Sequence, residues 1–289
     1  MTAQLLSIPF SEYLADPAPV ASANSGTLNT LLTKSALHAW YGHPKLNPNY
    51  RAEEGAEFDY GTAAHALLLE QSEAKLVIVE ADDWRKKDAQ ELRKAAREAG
   101  GTALLARQIH RVRDMVRAAE AAIAATGIAQ TWATGASEQS IMWTEGPTHC
   151  RARVDRLSAD KRTLFDYKTC LNAHPDAALR AVINFGYDVQ AAFYQRGIRA
   201  LTGQSADFIF VFQEKDAPYA CSLVALDPAM QDMAERKVDF ALQLWAQCMA
   251  SGKWSGYPNR IAYLTPPAWY AAQVEEMGIA EFIEEGTQI

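Results

Sequence analysis

The chain has 289 residues, of which 49% are hydrophobic and 22% charged. That balance excludes a disordered chain and allows one large domain or two small ones. The formal net charge of -7 is the wrong sign for binding phosphates by bulk charge, yet residues 85–117 hold ten Lys or Arg against four Asp or Glu.

Residues 1–27, with Pro9, Pro17 and Pro19, read as an irregular arm. Apolar spacing predicts a helix over 28–40, stopped by Pro44 and Pro48, and a second over 58–71. A short strand is expected at 76–80. Helices are expected at 84–99 and 102–125, separated by Gly100-Gly101 and carrying most of the basic residues. The period then changes to two. Strands are expected at 138–144, 149–157 and 163–169, the last two joined by a Ser158-Ala159-Asp160-Lys161 turn. Helices at 176–183 and 187–201, strands at 207–213 and 219–226, and a long helix at 230–249 follow. The aromatic stretch from Trp254 to Trp269 reads equally as lid or core, and no Lys or Arg occurs from Leu264 onward. The order implies an α/β core with one mixed sheet and a helical region before it.

Cys150, Cys170, Cys221 and Cys248 lack metal-knuckle spacing, so neither structural zinc nor an iron–sulfur cluster is expected, and scattered thiols suit a reducing cytoplasm. No apolar run reaches about 18 residues, so no membrane span is expected. No signal-peptide pattern is evident.

The 149–157/163–169 hairpin carries the chemistry. If its turn centres between Asp160 and Lys161, facing residues have numbers summing to 321 and Asp155 lies opposite Asp166. Their β-carbons would then be about 4.5–5.5 Å apart, and like charges so placed repel. A divalent cation held by oxygens offsets that repulsion. The two-residue repeat brings Lys168 and Arg153 to the same face, with Val154, Phe165 and Tyr167 on the other, toward the core. Two carboxylates that hold Mg²⁺ or Mn²⁺, an ammonium and a guanidinium are what phosphodiester hydrolysis needs. Alone, an Asp-x-Lys tripeptide is equally a solvated strand face.

The segment RARVDRLSADKRTLFDYKTC resembles the core motif of PD-(D/E)XK nucleases. FDYGTAAHALLLE resembles the upstream helix of the RecB-type branch, SEQSIMW the strand before the motif, and GYDVQAAFYQRG the Gln-x-x-x-Tyr helix. In order and spacing these are similar to the exonuclease VIII family of phage-type recombination exonucleases. The resemblance implies a restriction-endonuclease-like α/β core, a central mixed sheet flanked by helices, with an N-terminal helical region. Its organisation would be arm 1–27, helical region 28–130, nuclease core 131–270 and acidic tail 271–289.

The resemblance also implies a metal site of His65, Asp155, Asp166 and the Tyr167 backbone carbonyl, with Lys168 catalytic beside the two aspartates. Gln190 and Tyr194 would contact substrate or order the site, or merely rest on the sheet. Arg153 is a candidate phosphate contact. Glu138 would assist the metal or be an ordinary exposed strand residue, and the basic helices would track DNA or be a solvated face. The activity implied is Mg²⁺- or Mn²⁺-dependent exonucleolytic hydrolysis of linear double-stranded DNA, 5′ to 3′. A homo-oligomer and a single-strand annealing protein are the implied partners. An endonuclease, such as a defence enzyme, and a non-catalytic DNA-binding module are the competing readings. The chain departs from CRISPR-adaptation relatives in lacking their cluster cysteines, and no P-loop pattern is present.

Overall fold

Apolar alternation and capping residues set most element ends. The computed structural model describes residues 2–51, 60–70, 76–99 and 101–277. The segment expected to be irregular contributes a strand, β1 (Gln4–Leu6), and a short helix, α1 (Phe10–Leu14). A buried network fixes it. Asp16 accepts from the Ser22 N–H and hydroxyl and lies 3.3 Å from Arg151, whose guanidinium also donates to the Ser22 carbonyl and faces the Tyr13 ring.

The helix expected over 28–40 is two helices, α2 (Ser25–Thr33) and α3 (Ala36–Tyr41). The break falls where the Ser35 side chain caps α3 by accepting from the His38 N–H, a local bond that competes with helix continuation. Helix α4 (Tyr60–Glu70) follows; the rest of the helix expected over 58–71 lies outside the described residues. Strand β2 (Leu76–Val79) and helix α5 (Lys87–Glu98) match expectation. Thr102–Leu105, expected to be helical, is strand β3, paired in parallel with β2. Pairing and burial of Ala103, Leu104 and Leu105 override the helical spacing there. Helix α6 (Ala106–Ala124) and an unexpected short α7 (Ala129–Ala133) complete this half.

Strands β4 (Ala136–Glu145), β5 (Thr148–Leu157) and β6 (Thr163–Cys170) form an antiparallel meander. Helices α8 (Pro175–Phe185) and α9 (Tyr187–Thr202) then cross over to β7 (Asp207–Glu214), parallel to β6, and β8 (Cys221–Val224) closes the sheet. Its order is β1-β4-β5-β6-β7-β8, a mixed six-stranded sheet. Helix α10 (Pro228–Ser251), with Asp227 as N-cap and Gly252 in the left-handed C-terminal position, lies on one face. Cys150 and Cys248 are buried, and all four cysteines are free thiols.

Two apolar cores sandwich the sheet. One joins α2, α3, α9 and α10 to it through Trp143, Phe193, Phe210 and Trp245. The other joins α4 and α6 through Leu68, Met115, Phe165 and Val211. Helices α2, α3, α4 and α6 therefore pack onto the sheet's faces, α5 packs against β2 and β3 in a small cluster of its own, and residues 1–256 make one unit. Trp254 belongs to the first core, edge-on to Trp245. The remainder from Tyr257 is a separate unit whose described helix, α11 (Ala268–Glu276), buries no residue. Among the described residues no helix is long and apolar enough to cross a membrane.

Candidate active site

The β5–β6 hairpin adopts the expected register, with Arg156 facing Phe165 and Leu157 facing Leu164. The ladder stops there, one step short of Asp155 and Asp166. Instead of a backbone partner, the Tyr167 N–H donates to the Asp155 carboxylate at 2.9 Å. A carboxylate thus replaces a rung, and the strands part around it. A residue in extended conformation points its N–H and C=O the same way, so the Tyr167 carbonyl faces the same gap. The parting corrects one expectation: Val154 and Tyr167, predicted to share a face, enter different cores. At the same level on β4, Glu138 has φ 56°. This left-handed residue interrupts the alternation between Ser137, bonded to the Leu69 carbonyl, and Ile141 in the opposite core.

Glu138 and Asp155 meet His65 of α4. His65 Nε2 is 3.2 Å from Asp155 Oδ2 and Nδ1 is 3.8 Å from Glu138 Oε1. One ligand atom from each of the three lies within 4.8 Å of the others. Burial alone would lower the His65 pKa, but the Asp155 hydrogen bond and the charges of Asp155, Glu138 and Asp166 outweigh it and hold it above the ordinary value. Burial would raise Asp155, yet the His65 hydrogen bond and charge, Lys168 and the Tyr167 N–H keep it below the usual carboxylate range. Clustered carboxylates that draw positive charge toward themselves are the electrostatic condition of a cation site.

Asp166 sits deeper, 1% exposed. Gln190 of α9 donates to Oδ1 at 2.6 Å and the Lys168 ammonium lies 2.5 Å from Oδ2. Burial pushes the Asp166 pKa up to about 6; Lys168 opposes the rise and Asp155 adds to it. Lys168 is half-buried, which disfavours its charge, but Asp166 and Asp155 outweigh this and raise its pKa. The Tyr187 ring lies 4.8 Å from its ammonium. Tyr194 is itself buried against Phe208, and its hydroxyl bonds Ser25 and Gln190. Gln190 thus holds the Asp166 carboxylate, and Tyr194, one turn further along α9, is packed in the core.

These groups floor a cleft of about 1480 Å³. One wall is α4, where Gly61 lets the helix approach β6: a β-carbon there would overlap Thr169. Another is the N-terminal segment, with Ile8, Phe10 and Tyr13. Sequence reasoning missed both this wall and Tyr187, because nothing local marks a residue that lines a site through tertiary packing.

The sequence matches, over residues 35–267, the family model of a PDDEXK-like domain of unknown function, DUF3799. The chain belongs to this PDDEXK-like family. No curated protein matches it. Among solved structures, it resembles a protein from Eubacterium rectale proposed to be an exonuclease, at 12% identity over 91% of this chain and 97% of that one, TM-score 0.58. An alkaline exonuclease from Laribacter hongkongensis (16% identity, 66% and 90% covered, TM-score 0.25) and a phage-related exonuclease from Haemophilus somnus 129PT (15%, 66% and 95%, 0.28) are more distant. At such identities the likeness is one of fold.

In this PDDEXK-like chain the motif positions Asp155, Asp166 and Lys168 line one cleft, with Asp155 bonded to the Tyr167 N–H rather than paired across the ladder with Asp166. Two carboxylates and an imidazole at mutual ligating distance suit a divalent cation. The cluster includes Glu138, which the sequence left as accessory, while Asp166 is turned to Lys168 and Gln190. Arg153 lines the same cleft, where its Nε donates to Glu138 at 2.5 Å and one terminal nitrogen to the Ile8 carbonyl at 2.9 Å. The basic helices carry pairs such as Lys87–Glu91 and Lys94–Glu98, the pattern of a solvated face.

Proposed function

We propose that this chain is a divalent-metal-dependent deoxyribonuclease that degrades linear double-stranded DNA from its ends, in the 5′-to-3′ direction. The observation that carries the reading is the convergence of His65, Glu138, Asp155, Asp166 and a cationic Lys168 on one cleft floor. His65, Glu138 and Asp155, with Asp166 and the Tyr167 carbonyl at the same gap, would hold Mg²⁺ or Mn²⁺. The metal, when bound, supplies a nucleophilic water at neutral pH and neutralises phosphoryl charge.

The chain's own residues do the rest. Lys168, held by Asp166 and the Tyr187 ring, presents a fixed positive charge to the charge that develops on the phosphate or orients the attacking water. Gln190, braced by Tyr194, keeps the Asp166 carboxylate from turning away. A single-strand annealing protein that coats the strand left behind, and further copies of this chain, are the partners of this reading.

Purified protein is incubated with linear and covalently closed circular duplexes, with and without Mg²⁺ or Mn²⁺, beside Lys168→Ala. Metal-dependent loss of the linear duplex alone, abolished by the substitution, supports the proposal. Cutting of circles would make it an endonuclease, and no degradation by the wild type would leave a binding module. End-labelled strands read the polarity.

A further inference from the structure

We infer that Arg153 and the N-terminal segment set the metal affinity of the site by holding Glu138 in its ligating position. This rests on the metal-dependent reading above. Glu138 adopts φ 56° in mid-strand, between the pairs Ser137–Arg156 and Gln139–Val154. A residue with a β-carbon takes that conformation at a cost, so its surroundings must over-determine it. Arg153 does so. Its Nε takes Glu138 Oε2 at 2.5 Å, and the other oxygen, Oε1, is the one nearest His65. One carboxylate oxygen is thereby occupied and the other aimed at the cluster.

The guanidinium is in turn tied to the N-terminal segment. It donates to the Ile8 carbonyl at 2.9 Å and to Ser140 Oγ at 3.3 Å, and it lies 5.6 Å from the Phe10 ring. That segment is zipped to the strand that carries Glu138, with Gln4 facing Met142 and Leu6 facing Ser140. The line of contact therefore runs from the segment through Arg153 to Glu138 and the other two ligands. Arg153 is a positioning residue, and partners of this kind govern ligand orientation and metal affinity.

The test is Mn²⁺ titration by calorimetry on the full chain as wild type, Arg153→Met, Glu138→Gln, the double variant and Phe10→Ala. Arg153→Met should weaken Mn²⁺ about 10- to 100-fold. Phe10→Ala, at a residue 58% exposed and so outside the packed cores, should weaken it about two- to fivefold. The double variant should bind no more weakly than Glu138→Gln, because Arg153 acts through that carboxylate. Wild-type affinity in both Arg153→Met and Phe10→Ala overturns the inference, as does a loss that adds in full to that of Glu138→Gln. If the wild type itself takes up no Mn²⁺, the metal-dependent reading falls, and this inference with it.

Discussion

Gly186 joins α8 to α9 with φ 70°, immediately before Tyr187 and four residues before Gln190. Replacing it with Ala has two separable costs. The left-handed backbone disfavours a β-carbon by about 1–2 kcal/mol. That β-carbon would also overlap the Asn29 side chain, whose amide donates to the Phe185 carbonyl at 3.2 Å; displacing it forfeits about 1 kcal/mol. Gly186→Ala should therefore lose about 2–3 kcal/mol in urea unfolding. In an Asn29→Ala background only the backbone part should remain, about 1–2 kcal/mol. The same displacement shifts Tyr187 and Gln190, so nuclease activity should fall more than the folded fraction does. A cost below about 0.5 kcal/mol, within the range of ordinary surface changes, or an equal cost in both backgrounds, would refute this account of the junction.

Lys168→Ala should lower the cleavage rate about 100- to 1000-fold without weakening Mn²⁺, since a neighbouring positive charge has gone; weaker Mn²⁺ binding in calorimetry would contradict the role given to Lys168. His43 is buried, its Nε2 at the Ser22 carbonyl and its Nδ1 taken by the Lys45 N–H, and burial with Arg151 nearby holds its pKa below the ordinary value. The folded protein then binds fewer protons than the unfolded chain below about pH 6.5, so stability is full above that pH and falls as pH drops through it. Urea midpoints should decline more steeply on acidification in the wild type than in His43→Gln, and equal slopes would exclude His43 as the source. Arg156, buried, donates to the carbonyls of Trp132, Leu69 and Ala133 and to Ser137 Oγ. Arg156→Met orphans those acceptors and should cost about 3 kcal/mol in chemical denaturation; a near-neutral result would mean that water replaces the guanidinium.

The sequence by itself determined the hairpin and its register, because alternation of side chains and a four-residue polar turn are local properties. It therefore brought Asp155 close to Asp166 and Lys168, and, through the order of short motifs, it indicated the fold; the parting of the strands at that level was not legible in it. The position of His65 beside Asp155 was legible only through resemblance, since 90 residues separate them and no local signal binds them. Tertiary structure alone decided the rest. The left-handed turn at Glu138 is sustained by a guanidinium from the next strand and a carbonyl from the chain's first ten residues, so composition marked that segment as irregular when it is a wall of the cleft. The bonds of Arg153 to Glu138 and Ile8 could not be read from its strand, because they depend on what approaches from elsewhere in the chain. Local preference fixes where a side chain points along its own strand, and packing of distant segments decides what it meets there.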